Sequence, residues 1–113
     1  MERIKCIMRD IAEEREGAEH YAKKALQYKD SDHDLAEMYY NMSRQEMNHA
    51  ENLYTQGHRL MCKIKEHDPE DYDKMLWAWE WEHDKTTEEW QRRECFRRCT
   101  EGNKKEQPNG CSF

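Results

Sequence analysis

The tetrapeptide Glu46-Met-Asn-His49 places a carboxylate and an imidazole three residues apart. In an α-helix, residues at this spacing lie on one face, so both side chains can reach a single metal ion. At about 100° per residue, both fall near the centre of an apolar helical pattern, where an unpaired carboxylate costs several kcal/mol. We therefore interpret the pair as metal ligands. The apolar pattern consists of Leu35, Met38, Tyr39, Met42, Leu53, Leu60 and Ile64.

Glu14 is a third candidate ligand, on an earlier helical segment. It lies four residues before Ala18 and seven before Tyr21, two residues of that segment's apolar pattern. If the two segments pack in opposite directions around a turn at 29–32, Glu14 and Glu46 lie about equally far from the turn. The sequence then predicts that they are neighbours. In the alternative, Glu14 lies at the helix edge with its carboxylate in water.

The third helical segment repeats the same spacing in Glu80-Trp-Glu-His83. His83 follows Trp79 in an apolar pattern, at a level similar to that of His49. We expect His83, with Glu80 or Glu82, to complete or flank the metal site. The alternative is a hydrogen-bonded core histidine that binds no metal.

This donor set decides which metals suit the site. Carboxylates and imidazoles without a thiolate favour iron or manganese, and zinc is a further alternative. Bridging carboxylates would hold two metal ions close together and leave open positions for dioxygen or peroxide. Iron, as a di-iron centre, is the cofactor that this combination favours most.

Three helices must position these residues. Apolar periodicity predicts them at about 2–28, 32–66 and 69–100. The charged stretch at 29–32 separates the first two, and Asp68 followed by Pro69 is typical of a helix beginning.

These elements predict an all-α fold, a bundle of three antiparallel helices in one domain spanning 1–102. The residues 103–113 have the composition of a disordered tail. Three helices are one fewer than a four-helix bundle. Either the bundle is complete within the chain, or dimerisation completes four-helix bundles from two copies.

Composition excludes several classes of protein. Of the 113 residues, 39% are charged, and the net charge of −6 argues against a general nucleic-acid-binding protein. No apolar stretch approaches the roughly 20 residues of a membrane-spanning helix, and the first residues lack the apolar core of a signal peptide. We expect a soluble, cytoplasmic protein with no membrane association.

The five cysteines do not predict a disulfide framework, because their number is odd and no export signal is visible. Cys6 and Cys62 lie in helical patterns and are predicted to be small core residues. Cys95 and Cys99 are four residues apart, on one helical face. A weaker alternative is a zinc protein that uses histidine and cysteine from the third segment.

Trp77 and Trp81 fall on the side of the third segment opposite to its apolar pattern. A pair of exposed tryptophans is most simply explained by a subunit contact. We therefore expect a homo-oligomer, formed through the first two helices or through the Trp77/Trp81 face. The alternative is that long side chains of the same helix cover both rings.

The ligand pattern resembles that of the ferritin-like superfamily, in particular rubrerythrin and the encapsulated ferritins. Its di-iron members carry a Glu on one helix and Glu-x-x-His on the next, and the full site has this arrangement twice. In encapsulated ferritins, short chains each supply half of the ligands across a dimer. The resemblance implies that Glu14, Glu46 and His49 are metal ligands. It rests on Glu14-x-x-x-Ala18-x-x-Tyr21-x-x-x-Ala25 and Met42-x-x-x-Glu46-x-x-His49-Ala50-x-x-Leu53.

Two functions follow as expectations. The first is a non-haem di-metal carboxylate protein that oxidises Fe(II) or reduces peroxide. The second is a helical structural or interaction module, in which Glu46 and His49 form a buried polar network and catalyse nothing.

Overall fold

The structure is a computed structural model, which describes the backbone of residues 1–102 and the side chains of residues 1–92. It contains three helices, α1 (Glu2–Tyr28), α2 (His33–His67) and α3 (Pro69–Gly102). Within this described part there is no strand, so the prediction of an all-helical chain with three helices is confirmed. None of these helices is both long enough and apolar enough to cross a membrane. The predicted tail, and the side chains of Cys95 and Cys99, lie outside the described residues.

The turns end the helices where the sequence supplies capping groups. The Asp32 carboxylate accepts a hydrogen bond of 3.1 Å from the backbone N–H of Leu35 and so caps the beginning of α2. Asp68 accepts an equivalent bond from the N–H of Asp71, and Pro69 takes the first position of α3, where no N–H is needed.

Small residues at intervals of seven form the contact between α1 and α2. On α2 these are Ala36, Ser43, Ala50 and Gly57, all buried. They face a buried stripe on α1 with the same interval, made of Ile4, Ile11, Ala18 and Ala25. Small side chains let two helix backbones approach closely, and the hydroxyl of Ser43 donates a hydrogen bond of 2.6 Å to the backbone carbonyl of Ala18. This line of contact is called the small-residue seam below.

The position of the seam shows that the predicted inner face of α2 was wrong. Glu46 and His49 do not lie at its centre: Glu46 is half-buried and His49 is exposed, while Met47 and Ala50 are buried instead. The reason is steric, because α1 packs most closely where α2 carries small side chains. The larger side chains of the predicted pattern therefore lie beside the seam, and Met38 is exposed.

The helix α3 packs on one flank of the α1–α2 pair. Trp79 and Met75 of α3 join Ile4, Ile11 and Met61 in the main apolar cluster. The Trp79 ring stacks on Tyr54, with 4.8 Å between the ring centroids. Farther along α3, polar contacts continue this packing, through ion pairs of Glu82 with Arg15 and of Arg92 with Glu19.

The outer face of α3 carries the two tryptophans that the sequence placed there. Trp77 is 75% exposed, and Trp81 is also exposed. The Arg15 guanidinium and the Lys85 ammonium group each lie 5.4 Å from the centre of a Trp81 ring. The alternative that long side chains cover these rings therefore describes Trp81 in part, but not Trp77.

The cysteines are a second correction. Cys6 and Cys62 are both exposed free thiols, not core residues. The reason is the same as for Glu46, because the buried positions of α1 and α2 lie on the seam or next to it, as Ala22, Met47 and Met61 do, and these two cysteines lie on other faces.

The contact between Gly57 and Trp79 generates a stability prediction. A Cβ atom at Gly57 would lie 2.5 Å from Trp79 Cη2, so a Gly57→Ala variant must displace the ring from the core. Overpacking costs about 1–3 kcal/mol and exceeds the helix-propensity gain of about 1 kcal/mol. We expect a lower free energy of unfolding in urea titrations. Gly17→Ala is the control, since its Cβ meets only a flexible carboxylate, and it should unfold no earlier than wild type.

Candidate metal centre

Glu14, Glu46 and His49 converge on the flank of the α1–α2 pair that does not face α3. Each offers one ligand atom, and these atoms all lie within 4.8 Å of one another. His49 Nδ1 lies 3.4 Å from Glu14 Oε2. Glu46 and His49 are separated by about one helical turn on α2. Glu14 reaches them from α1, at the predicted level.

Gly17 gives the Glu46 side chain its place on the surface of α1. A Cβ atom at Gly17 would lie 3.1 Å from Glu46 Oε2 and 3.3 Å from its carboxyl carbon. Glycine inside a helix is less favourable than alanine by about 1 kcal/mol. The missing side chain thus leaves room for a carboxylate directly over the α1 backbone, which the sequence reasoning did not anticipate.

The Glu14 carboxylate strongly perturbs the carboxyl group of Glu46. The hydrogen bond that protonated Glu46 donates to Glu14 raises the pKa of Glu46 to about 7, helped by desolvation and by the negative charge of Glu14, while His49 opposes the shift. Near neutral pH the two glutamates therefore share a proton for a substantial fraction of the time. A divalent cation would replace this proton and relieve the repulsion.

The donor set fits a metal ion of the iron, manganese or zinc type. Oxygen and nitrogen ligands at about 2.0–2.2 Å from one metal can be at most about 4.3 Å apart. The distance of 3.4 Å between His49 Nδ1 and Glu14 Oε2 is within this limit. Small side-chain rotations suffice to bring a carboxylate oxygen of Glu46 within it as well. Glu14 is 28% exposed and His49 59% exposed, so an ion from solution has access to the group.

The structure does not bring the other predicted ligands to this group. Glu82 forms an ion pair with Arg15, on the α3 side of α1. His83 lies against Tyr54 with 5.2 Å between ring centroids, and Glu80 lines a groove between α2 and α3. The reason is the position of α3, which packs on the opposite flank from Glu14.

A column of tyrosines continues the ligand-bearing flank towards the α1–α2 turn. Tyr39 stacks on both Tyr21 and Tyr28, with 6.1 Å between ring centroids in each pair. The spacing of seven residues from Glu14 to Tyr21, and from Tyr39 to Glu46, is the sequence signal for this column. The flank thus combines three candidate ligands with aromatic rings.

In comparisons with known proteins, no family model, no curated protein and no solved structure matches this chain. The class of the site therefore rests on its own residues: a carboxylate–histidine group on a helical scaffold.

The raised pKa of Glu46 predicts how the metal-free protein responds to pH. Because folded Glu46 keeps its proton longer than unfolded Glu46, the unfolded state loses that proton first as pH rises. As the pH rises from about 4.5 to 7, the titration of Glu46 therefore lowers the free energy of unfolding. Glu46→Gln removes this contribution.

The measurement compares urea midpoints of chelator-treated wild type and Glu46→Gln at about pH 5 and about pH 8. We expect the wild type to lose more stability than the variant between these two values. An equal loss in both proteins would contradict the shared proton. Glu51→Gln, an exposed change on the same helix, should behave as wild type.

Proposed function

We propose that Glu14, Glu46 and His49 form half of a non-haem carboxylate metal centre in a ferritin-like protein that oxidises Fe(II) or reduces peroxide. The observation that carries the proposal is the convergence of the three side chains from two helices. The raised pKa of Glu46 supports it, because like charges held together without a cation are unfavourable. Iron is the favoured metal, with manganese or zinc as alternatives.

The half-site argues for a second copy of the chain. Di-iron sites of this class use two Glu ligands from two helices and two Glu-x-x-His motifs from two others. One chain has one of each in its α1–α2 pair. An antiparallel α1–α2 pair from a second copy, facing the ligand-bearing flank, would supply the rest and complete a four-helix bundle. The half-buried side chains of Tyr21, Tyr39, Met42 and Leu53 would then be covered.

Each side chain of the site would have a separate role. The chemistry supplied by iron, when bound, would be the transfer of electrons to dioxygen or peroxide. Glu14 and Glu46 would hold the cation and balance its charge, and Glu46 would release its proton to solvent on binding. His49 would add a nitrogen donor on the side open to solvent. The stacked rings of Tyr21 and Tyr39 would limit water on the side towards the turn.

A second candidate function is the interaction module without catalysis. The raised pKa of Glu46 favours it, because a proton held between Glu14 and Glu46 would satisfy the pair without a metal. The exposed ring of Trp77 would then be the binding surface. In this case replacing Glu46 with a neutral residue would leave the free energy of unfolding unchanged or raise it, whether or not metal is present.

Metal binding by the double variant Glu46→Gln/His49→Gln separates the two functions. Anaerobic titration with Fe(II) should saturate at about one ion per chain in wild type, which is two per pair of chains, and the variant should lose this binding. Glu51→Gln/His33→Gln is the matched control, with the same residue types at exposed positions of α2. Wild type that binds no Fe(II) would contradict the metal centre.

The shared site also predicts which face associates. In sedimentation experiments the metal-loaded protein should have twice the chain mass. Met42→Arg should convert it to single chains, because a charge would be buried beside the ligands. Trp77→Arg, on α3, should leave the dimer intact. If Trp77→Arg dissociated the dimer and Met42→Arg did not, the interface would lie on the Trp77/Trp81 face instead.

A further inference from the structure

A groove between α2 and α3 contains a second group of potential ligands, away from the carboxylates. Its cavity volume is about 330 Å³, and its walls include the rings of Tyr54, Tyr72 and Trp79. The thiol of Cys62 and the imidazoles of His58 and His83 also line it. A thiol and two imidazoles form a different donor set from that of the carboxylate site. The proposal that follows does not depend on the function proposed above.

His58 and Cys62 already have the spacing of two ligands of one metal ion. They lie one helical turn apart on α2, with 3.7 Å between His58 Nε2 and Cys62 Sγ. For a tetrahedral zinc ion with Zn–S of about 2.3 Å and Zn–N of about 2.0–2.1 Å, these two atoms should be about 3.6 Å apart. The pair therefore needs almost no rearrangement to bind one cation.

His83 is a third potential donor, on α3, and it packs against the Tyr54 ring as His58 does. The centroid of the Tyr54 ring lies 5.2 Å from that of the His83 imidazole and 6.5 Å from that of the His58 imidazole. His83 Nδ1 is 3.8 Å from Asp84 on the surface. This imidazole is half exposed, and it must rotate before its nitrogen can join Cys62 and His58 in binding one ion. Glu80, almost one turn earlier on α3, also lines the groove and offers an oxygen.

We propose that this groove is a second metal site, in which Cys62, His58 and His83 bind a divalent cation of the zinc class and join α2 to α3. Binding replaces the thiol proton of Cys62 with the cation and releases that proton to solvent, with no change of oxidation state. A thiolate with imidazoles favours zinc over iron, whereas carboxylates with one imidazole suit iron. The two flanks of the bundle thus differ in metal preference.

Cobalt(II) tests the site, because a cobalt–thiolate bond gives a charge-transfer absorption band that a carboxylate site lacks. The parent protein for the test carries Glu46→Gln and His49→Gln, so that the carboxylate site is absent. It keeps Cys62 as its only thiol through Cys6→Ser, Cys95→Ser, Cys99→Ser and Cys111→Ser. One cobalt per chain should produce the band, and zinc should displace it.

Three variants of this parent decide the outcome. Cys62→Ser should abolish the band, and His58→Ala and His83→Ala should each weaken binding at least about tenfold. His33→Ala, another exposed histidine of α2, should change nothing. No band in the parent, or unchanged affinity after His83→Ala, would overturn the proposal.

Alkylation of Cys62 gives a second readout that needs no cobalt. Zinc should protect this thiol from iodoacetamide in the parent but not in the His83→Ala variant, with helix content by circular dichroism confirming that both proteins are folded. Equal alkylation with and without zinc in the folded parent would also overturn the site.

Discussion

The close approach of α1 and α2 along the small-residue seam is the constraint on which the rest of the structure depends. Alanine, serine and glycine at every seventh position let the two backbones pack tightly, and the bond from Ser43 to the Ala18 carbonyl fixes their register. A shift of one residue in this register would move Glu14 away from Glu46 and His49. The same seam divides the helix pair into two flanks, of which α3 occupies one.

The carboxylate pair lies on the other flank, at a position that the fold makes unfavourable for two negative charges. Gly17 leaves room for the Glu46 carboxyl group. The hydrogen bond to Glu14, followed by desolvation and the charge of Glu14, raises the pKa of Glu46. Such a pair must be stabilised by a proton or by a cation. Protonated Glu46 relieves the repulsion in the metal-free protein, and an ion bound by both carboxylates and His49 would replace this proton.

Sequence reasoning predicted the three helices and the common level of Glu14, Glu46 and His49, because periodicity and distance from a turn determine both. It did not predict which face of α2 is buried. Apolar size was taken as the guide, but the closest helix contact follows the smallest side chains, such as Ser43 and Gly57. Hydrophobic periodicity alone cannot separate these two faces, which lie next to each other on one helix.

The position of His83 could not be predicted for a related reason. Its level along α3 was estimated from the length of the segment, and level alone does not say on which flank of the first two helices α3 packs. Contacts that are invisible in the sequence decide this, chiefly the stacking of Trp79 on Tyr54 over Gly57. As a result His83 lines the groove between α2 and α3, which Cys62 and His58 also line.

The most direct test of the carboxylate centre is a crystal structure of the iron-loaded protein with anomalous diffraction at the iron edge. The account predicts an iron peak bound by Glu14, Glu46 and His49, with the matching residues of a second copy on its far side. Iron bound only in the groove between α2 and α3, or no iron peak in a protein whose three side chains are as close as here, would contradict it.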